Sequence, residues 1–540
     1  MDGQSLPGSF DLEVLPGRPL LYWAGKQPLR TVKYCEARLK ERYGVPGEDG
    51  WVNRLYWGDN LQVMCHLLRE FRGKIKLIYI DPPFDSKAEY RKKIRLKGAA
   101  RIGGSPSVIE EKQYSDMWAD DQYLQFIYER LQLMRELLSP EGSLYVHIDY
   151  RRGHYIKVIL DEVFGAHNFR NEIVVRRATK NLQSQFEEVA MLNVATDSIF
   201  WYSKSPGARY RAPLKAASAR QRRGRWASFY NDEDRPTMRY ELFGQTPSRG
   251  QWKWSKERAY RAAANYREYL EHYAHEMGLE EYWERTGRKL EFLRPNPRTG
   301  KPEYWVEPQK EVPCDSNWLD IPAYAHSTGY PTEKSEALLE RIIRAGTEPG
   351  ELVADLFSGS GTTLAVAQKL GRRWIGSDSN LGAIHTTVKR LAGIVGKQRE
   401  TGSQQRCYLS FGVYKIGPYK VLPDGRDAVG PGKAEADIVL KREGSRVRVE
   451  IRRFYSPRVW ERLKREAGPV ETADWRQVVE AVFIDPDYDG VVLQPALLDV
   501  PAGSDTVKGV YWLEGLKPGQ RMALKIVDVL SEEYVTVLEV

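Results

Sequence analysis

A carboxylate, two prolines and an aromatic ring follow directly on an apolar run in the stretch Asp81-Pro-Pro-Phe84. The preceding run, Ile75–Ile80, is typical of a strand that is buried on both faces of a parallel sheet. Because proline cannot donate to a sheet ladder, the strand must end at Asp81. In open α/β sheets, ligands bind at the carboxyl ends of the strands. The stretch predicts a pocket for a flat base that bears an amine, and the alternative is a proline-rich turn without chemistry.

A second apolar run, Leu352–Asp355, lies far downstream and leads into a glycine-rich turn and a helix predicted over 364–370. Glycines allow a ligand to approach the backbone, and a helix amino terminus offers free N–H groups. A Walker phosphate loop is excluded because no lysine follows the last glycine, and the third glycine of a dinucleotide fingerprint is missing. A third predicted strand ends at Asp378, whose carboxylate could accept hydrogen bonds from both hydroxyls of a ribose.

Together, Asp-Pro-Pro-Phe and Asp-x-Phe-x-Gly-x-Gly-Thr-Thr resemble the motifs of the DNA amino-methyltransferases, which transfer methyl from S-adenosylmethionine (SAM) to adenine N6 or cytosine N4. The catalytic motif precedes the cofactor motif here, which is similar to the circularly permuted β group that includes type III modification subunits. Residues 58–60, 114–118, 142–149 and 329–340 also match, so the resemblance covers the region from 50 to 395.

The resemblance implies two sets of site residues. The catalytic set is Asp81, Pro82, Pro83 and Phe84, and the cofactor set is Asp59, Asp355, Phe357, Gly359, Gly361, Thr362 and Asp378. The target base would be flipped out of the duplex to stack on Phe84, with its amine hydrogen-bonded to the Asp81 carboxylate and the Pro82 carbonyl. The amine would then attack the methyl group directly, without a metal. Asp355 is expected to order the turn, and Asp59 is equally compatible with capping the next helix.

Two basic segments are candidate contacts to the DNA backbone. One leaves the catalytic edge directly, and the other interleaves arginines with aromatic residues, which suits phosphates and bases. A solvated charged face is the alternative for each. The expected DNA-binding residues are Lys92, Lys93, Arg95, Arg220, Arg222, Arg223, Arg225, Trp252 and Trp254.

The elements that must position these residues predict an α/β fold. We expect a SAM-dependent methyltransferase (Rossmann-like) sheet, circularly permuted, with an inserted target-recognition region and a C-terminal β-rich domain. The expected parts are an N-terminal arm (1–50), a catalytic half (51–203), the target-recognition insert (204–315), a SAM-binding half (316–400) and the β-rich domain (401–540). Within them, one helical stretch is predicted over 255–285, and Thr332 is the expected cap of the helix before the cofactor strand.

Composition is compatible with this interpretation. The chain has 540 residues, of which 41% are hydrophobic and 29% charged, and a net charge of +9 that favours a polyanionic partner such as double-stranded DNA. Its cysteines are too far apart for a zinc site or a disulfide framework, so a reducing, cytoplasmic setting is expected. No apolar run suits a signal peptide or a membrane span. The stretch 485–490 begins like a calcium loop, but Ala496 stands where its last glutamate is required.

Asp81 favours adenine N6 as the methylated atom. Adenine enzymes of the resembled family usually carry Asp or Asn before the two prolines, whereas cytosine-N4 enzymes usually carry Ser. The alternatives are cytosine-N4 methylation, methylation of protein glutamine or of RNA, and a catalytically silent DNA-recognition subunit that keeps the fold. The intact pair of motifs argues against a silent subunit. A restriction or defence subunit is a candidate partner, and the recognition sequence and oligomeric state are left open.

Overall fold

The chain divides into two compact units, Met1–Arg211 with Asp315–Val540, and Ala212–Cys314. The computed structural model describes residues 9–11, 20–46, 49–84, 89–96, 101–102, 105–106, 108–115, 120–177, 192–325, 330, 332–400, 410–417, 434–467 and 474–540.

A mixed sheet of ten strands forms the centre of the first unit. Its strands, in chain order, are β1 (Ala37–Tyr43), β2 (Asn53–Trp57), β3 (Ile75–Ile80), β4 (Leu138–Ile148), β5 (Phe169–Arg176), β6 (Thr196–Ser203), β7 (Asn317–Pro322), β8 (Leu352–Asp355), β9 (Arg373–Asp378) and β10 (Phe411–Ile416).

The order of these strands across the sheet is β7-β5-β6-β4-β3-β8-β9-β2-β10-β1. Strands β4, β3, β8, β9, β2 and β10 run parallel to one another, whereas β6 is antiparallel to β4 and β1 is antiparallel to β10. Strands β8 and β9, which come late in the chain, therefore lie between β3 and β2, which come early. This arrangement confirms the predicted fold class, an α/β fold with a large central sheet and additional β-rich regions.

Helices connect the strands and supply the apolar residues that cover them. They are Asn60–Phe71, Asp120–Leu137, Gly153–Phe164, Glu336–Gly346, Thr362–Lys369 and Leu381–Glu400. The first of them buries Val63, Met64, Leu67 and Leu68 in a core shared with Ile78 of β3, so its apolar stripe faces the sheet. No helix in the described parts of the chain is long and apolar enough to cross a membrane.

Two expected local features are wrong. Thr332 does not cap a helix, because its φ is 60° and the next helix begins at Glu336, after Ser335. The stretch 255–285 forms two helices, Lys256–His272 and Leu279–Arg285, because the first ends at Tyr273 and the chain re-enters helical conformation only after Gly278.

The central sheet extends beyond the boundaries expected for the methyltransferase halves. Strand β1 lies inside the expected arm 1–50, and β10 lies inside the expected C-terminal part 401–540. Both are short strands of mixed polarity that pair with each other at one edge of the sheet. Their polarity is why the sequence pattern alone does not assign them to a buried sheet.

The C-terminal region packs two small sheets around one apolar core. One sheet contains Glu435–Glu443, Arg446–Tyr455 and Val510–Glu514, and the other contains Leu497–Asp499, Val479–Asp485, Arg521–Asp528 and Glu533–Glu539. The helix Pro457–Ala467 also contributes to this core. The region is joined to β1, because the Lys525 ammonium pairs with the Glu41 carboxylate and the backbone of Leu493 bonds to Lys40 and Arg42.

The remaining short elements of the first unit are paired strands: Ser9–Asp11 with Thr31–Lys33, Glu89–Arg95 with Val108–Ser115, and Arg101–Ile102 with Ser105–Pro106. In the second unit the strands are Leu214–Ala216, Arg225–Ser228, Tyr230–Asn231, Gln251–Trp252, Leu293–Pro295, Pro302–Val306 and Glu311–Pro313, together with the two helices already given. Two aromatic clusters form its core.

Candidate active site

Four carboxylates stand at the carboxyl ends of four neighbouring parallel strands. Asp81 follows β3, Asp355 ends β8, Asp378 ends β9, and Asp59 follows β2. Because the strands lie side by side in this order, the acids form a row along one edge of the sheet. All four line a single cavity of about 360 Å³.

Asp81 is paired with a lysine that comes from the other half of the chain. Its Oδ2 lies 2.8 Å from the Nζ of Lys334, and the exposed fractions of the two side chains are 18% and 5%. The other oxygen, Oδ1, is buried and has no hydrogen-bond partner among the described residues. A buried acceptor without a partner is costly, so this oxygen is available for a donor from a ligand.

Pro82 and Phe84 are buried, whereas Asp81 and Pro83 line the cavity. The Phe84 ring lies 6.1 Å from the ring of His147, and the Lys334 ammonium is 5.3 Å from the Phe84 centroid. Only 6% of Phe84 is exposed. Stacking of a base on this ring stays a prediction, and it requires the face of Phe84 to be uncovered.

A buried hydrogen-bond network supports the end of β3. Tyr79 donates to His147 Nδ1 at 3.0 Å, His147 Nε2 lies 3.4 Å from Asp197, and Tyr324 donates to Asp197 at 2.6 Å. Burial lowers the pKa of His147, and the nearby Lys334 ammonium adds to the effect. A neutral ring protonated on Nε2 satisfies both contacts, so His147 is a packed histidine.

Asp355 orders the glycine-rich turn, as the sequence suggested. Its carboxylate accepts hydrogen bonds from the Phe357 N–H, at 3.0 Å, and from the Thr363 hydroxyl. Burial nevertheless raises the pKa of Asp355 to about 7, with a smaller contribution from the carboxylates of Asp81 and Asp378. A cation beside Asp355 would therefore favour its ionised form.

The two glycines of the turn have different roles. Gly359 lines the cavity with a φ of 50°, and a Cβ there would lie 3.4 Å from the Tyr330 ring. Gly361, with a φ of 72°, is not among the residues that line it, and a Cβ there would lie 2.5 Å from Thr387 Oγ1 on the helix Leu381–Glu400. Gly361 is thus explained by close helix packing, and the expectation that it lets a cofactor approach is not supported by the cavity.

Asp378 already accepts two backbone hydrogen bonds, from Gly359 at 2.9 Å and from Asn380 at 2.8 Å. Burial raises its pKa, although these N–H groups oppose the effect. Each carboxylate oxygen can accept more than one hydrogen bond, so the arrangement keeps acceptor capacity for a ligand hydroxyl. Contact with a ribose stays a prediction.

Asp59 caps the helix Asn60–Phe71, because its Oδ1 accepts from the Leu61 N–H at 2.9 Å. Its Oδ2 also accepts from Arg130 at 2.9 Å, and the Arg130 guanidinium lies 3.5 Å from the centroid of the Phe126 ring. Phe126 and Phe357 line the cavity and pack edge to face, with their ring centroids 6.1 Å apart. This end of the cavity therefore combines two aromatic rings with a carboxylate.

The expected DNA-binding residues do not all suit that role. Arg220, Arg222 and Arg223 are exposed and Arg225 is half-buried in the second unit. Trp252 is only 4% exposed, stacks on Phe229, and donates its indole N–H to the Tyr240 carbonyl at 2.8 Å. Its assignment as a base-stacking residue is therefore wrong. Trp254 is half-buried in the same cluster, beside Phe229.

Lys92, Lys93 and Arg95 lie on the strand Glu89–Arg95, whose side chains are outside the described part of the structure. Their contact with DNA stays a prediction. The described residues contain no group of three or more histidine, cysteine, aspartate or glutamate side chains that could hold a metal ion.

Sequence reasoning missed three residues of the site. Lys334 lies in a stretch recognised only by resemblance, and Arg130 and Phe126 lie on the helix Asp120–Leu137, to which no site residue was assigned. The available signal for Lys334 was a lysine placed shortly before the cofactor strand β8. Nothing in the local sequence separates it from an exposed lysine.

Comparison with known proteins places this geometry in a family. The profile of a DNA methylase family that modifies N6 or N4 amines matches residues 75–389. The type II methyltransferase M.EcaI of Enterobacter cloacae is 32% identical over 357 residues, which cover 63% of this chain and 69% of that protein. The probable type III restriction-modification enzyme HindVI Mod subunit of Haemophilus influenzae is 23% identical, over 69% of this chain and 53% of its own length.

Among solved structures, the M1.HpyAVI–SAM complex is 18% identical with a TM-score of 0.31, over 63% of this chain and 98% of that one. The family profile covers more than half of the chain, and its members are SAM-dependent methyltransferases, which confirms the predicted cofactor at the level of the family. The chain belongs to the N6/N4 DNA methylase family.

Proposed function

We propose that the chain is a site-specific DNA methyltransferase that transfers the methyl group of SAM to adenine N6 in double-stranded DNA. The observation that carries the proposal is the unpartnered Oδ1 of Asp81, which lies in the same cavity as the glycine-rich turn. One cavity thus holds an acceptor for an amine and a turn suited to a cofactor.

The charge of the cavity supports a cationic cofactor. Asp59, Asp81, Asp355 and Asp378 line it, together with the single ammonium of Lys334 among its lining residues. When bound, SAM supplies an electrophilic methyl group on a positively charged sulfur. The raised pKa values of Asp355 and Asp378 mean that a cation beside them stabilises their ionised forms. We assign Asp355 and Gly359 to the methionine end, and Asp378 to the ribose.

The chain's own residues then act on the base. Asp81 Oδ1 and the Pro82 carbonyl accept hydrogen bonds from the exocyclic amine, which localises its lone pair on nitrogen. Phe84 offers a face for the flipped base, and such stacking contributes roughly 1–3 kcal/mol against a flipping cost of a few kcal/mol. The Tyr79–His147–Asp197 network holds the strand end that carries these groups.

Adenine is the proposed base because Asp81 stands where the family's adenine enzymes usually carry Asp or Asn. Cytosine N4 is the second candidate, because its amine presents the same two hydrogens to the same acceptor. A carboxylate accepts a stronger, charge-assisted hydrogen bond than the serine hydroxyl usual in cytosine-N4 enzymes.

A role in restriction and modification is proposed from the relatives. M.EcaI is a type II methyltransferase, and the HindVI protein is a Mod subunit of a type III restriction-modification enzyme. A restriction subunit is therefore the proposed partner, and the DNA substrate makes the cytoplasm the proposed compartment. This chain spans about half of the length of the HindVI Mod subunit. That it forms an assembly with a restriction subunit is therefore a proposal.

Tritiated SAM incubated with the purified protein and mixed-sequence DNA tests the activity, with Asp81→Ala as the matched inactive variant. Label in DNA is expected. In parallel incubations with RNA or host protein in place of DNA, label would support the corresponding alternative substrate, and absence of label from all of them would support a silent recognition subunit. Digestion of the labelled DNA to nucleosides should yield N6-methyladenine by mass spectrometry, and N4-methylcytosine would overturn the choice of base.

A further inference from the structure

We propose that Lys334 reads the target base by donating a hydrogen bond to the ring nitrogen next to the amine that is methylated. The inference rests on the proposed function, because it concerns the base that enters the same cavity. In this proposal Lys334 holds the Asp81 carboxylate in place, and the two residues together also select the base.

The backbone around Lys334 is held firmly. Tyr324 and Lys334 form an antiparallel bridge, the Ala325 N–H donates to the Glu333 carbonyl at 2.8 Å, and the Ser335 N–H donates to the Ala323 carbonyl at 2.9 Å. The Lys334 ammonium also lies 4.1 Å from the centroid of the Tyr324 ring. The side chain is thus oriented towards Asp81 by its own strand pairing and by a cation–π contact.

In the Lys334–Asp81 pair, the Lys334 ammonium can still donate hydrogen bonds and the Oδ1 of Asp81 can still accept one. An ammonium has three N–H donors, and the ion pair with Asp81 Oδ2, at 2.8 Å, leaves at least two of them unused. Among the described residues, neither Lys334 Nζ nor Asp81 Oδ1 has a further hydrogen-bond partner. Both residues line the cavity. A ligand that presents a donor beside an acceptor would satisfy both atoms at once.

This arrangement matches the Watson–Crick edge of two bases. Adenine and cytosine each carry an exocyclic amine, which donates, next to a ring nitrogen without hydrogen, which accepts. Guanine and thymine present a carbonyl oxygen next to a ring N–H, which is the reverse pattern. Flipped bases are commonly recognised by hydrogen bonds to this edge. The pair therefore selects adenine or cytosine against guanine and thymine, and it leaves the choice between the two to the shape of the pocket.

A lysine that acts only as the counter-ion of Asp81 would have a different signature. Removing it would lower the rate on every substrate by the same factor, because the effect would pass through Asp81. A lysine that contacts the base makes the rate depend on whether the base has the ring nitrogen. When the lysine is replaced, the rates with and without the ring nitrogen should become similar.

The experiment removes the ring nitrogen and the lysine separately. The methylated sequence is first determined on DNA from a host that expresses the chain, and duplexes are then made with adenine or 1-deazaadenine at the target. Wild-type kcat/KM should be about 10- to 100-fold lower on 1-deazaadenine, as expected for one hydrogen bond from a charged donor. Lys334→Met should lose a similar factor on adenine and distinguish the two duplexes by less than about threefold.

Lys76→Met is the matched control, because Lys76 lies on β3 itself and pairs with Glu141 at 3.0 Å. It should behave as wild type on both duplexes. If Lys334→Met retains the full wild-type discrimination, Lys334 does not contact the base. If Lys334→Met does not fold, the wild-type protein still tests the inference, because equal rates on the two duplexes refute it. A rate on adenine that is 10 or more times the rate on 1-deazaadenine, in the wild type and in Lys334→Arg, supports it. No transfer to the unmodified duplex would instead contradict the proposed function, and for a cytosine target the same comparison uses 3-deazacytosine.

Discussion

The Asp81→Ala substitution should separate catalysis from stability at the centre of the site. We expect methyl transfer to fall by at least about 100-fold, because a preorganised polar group at the reacting atoms typically contributes 10²–10³ in kcat. SAM affinity should change little, because the unpartnered oxygen of Asp81 is assigned to the amine rather than to the cofactor.

The same substitution leaves the Lys334 ammonium, which is 5% exposed, without its carboxylate. Breaking a buried ion pair costs about 3–5 kcal/mol, and the 18% exposure of Asp81 places the expected loss of unfolding free energy near the lower limit, at about 3 kcal/mol. The double variant Asp81→Ala/Lys334→Met removes the stranded charge. It should recover most of the stability and none of the activity.

Activity is measured as single-turnover transfer from tritiated SAM, affinity by calorimetry, and stability by denaturant unfolding. Glu141→Ala is the control. It removes a carboxylate that is 70% exposed and pairs at 3.0 Å with Lys76 of β3, the strand that Asp81 follows. It should cost less than about 1 kcal/mol and retain full activity. Asp81→Ala activity above a tenth of wild type, or recovery of transfer in the double variant, would refute the role of Asp81.

Three further changes test the cofactor side and the packing of the C-terminal region. Asp378→Ala should weaken SAM binding about 10- to 100-fold in calorimetry, because a hydrogen bond to a charged acceptor contributes roughly 1.5–3 kcal/mol, and unchanged affinity would move the ribose contact elsewhere. The pKa of Asp355 is raised by burial to about 7, and a cation favours its ionised form, so SAM should bind about tenfold more tightly at pH 8 than at pH 6. Asp355→Asn should lose that dependence, and its persistence would exclude Asp355 as the titrating group. Lys525→Met removes the cation that pairs with Glu41, which is 11% exposed, and with the half-buried Glu533, and it should lower the free energy of unfolding by about 3–5 kcal/mol, against less than about 1 kcal/mol for the exposed Lys441→Met.

The positions of the four acids were predictable because each follows an apolar run that a buried strand requires. The prolines after Asp81 and the glycines after Asp355 mark where those runs end. Strand β3 accordingly spans Ile75–Ile80, as expected. Once the strands are parallel, their carboxyl ends share an edge, and the residues that follow them must approach one another.

Contacts between distant side chains were not predictable in the same way. The sequence around Lys334 does not distinguish a lysine buried against Asp81 from one in solvent, because the pairing depends on how two distant segments meet. Trp252 shows the reverse error. An aromatic residue next to basic residues suits a nucleic-acid surface and an aromatic core equally well, and its burial against Phe229 decides for the core.

The segment Glu333 to Glu336 explains how a permuted chain keeps its two motifs in register. Lys334 binds Asp81 in the catalytic half, while Glu333 and Glu336 both bind Arg390, at 3.1 and 2.6 Å. Arg390 also donates to Thr362 Oγ1, at 3.0 Å, where the cofactor helix begins. Glu333, Lys334 and Glu336 therefore connect Asp81, the carboxylate proposed to bind the amine, to the glycine-rich turn through buried or half-buried charges. Since methyl transfer depends on the distance between donor and acceptor, we propose that this connection, rather than the order of the motifs in the sequence, fixes the geometry of the reaction.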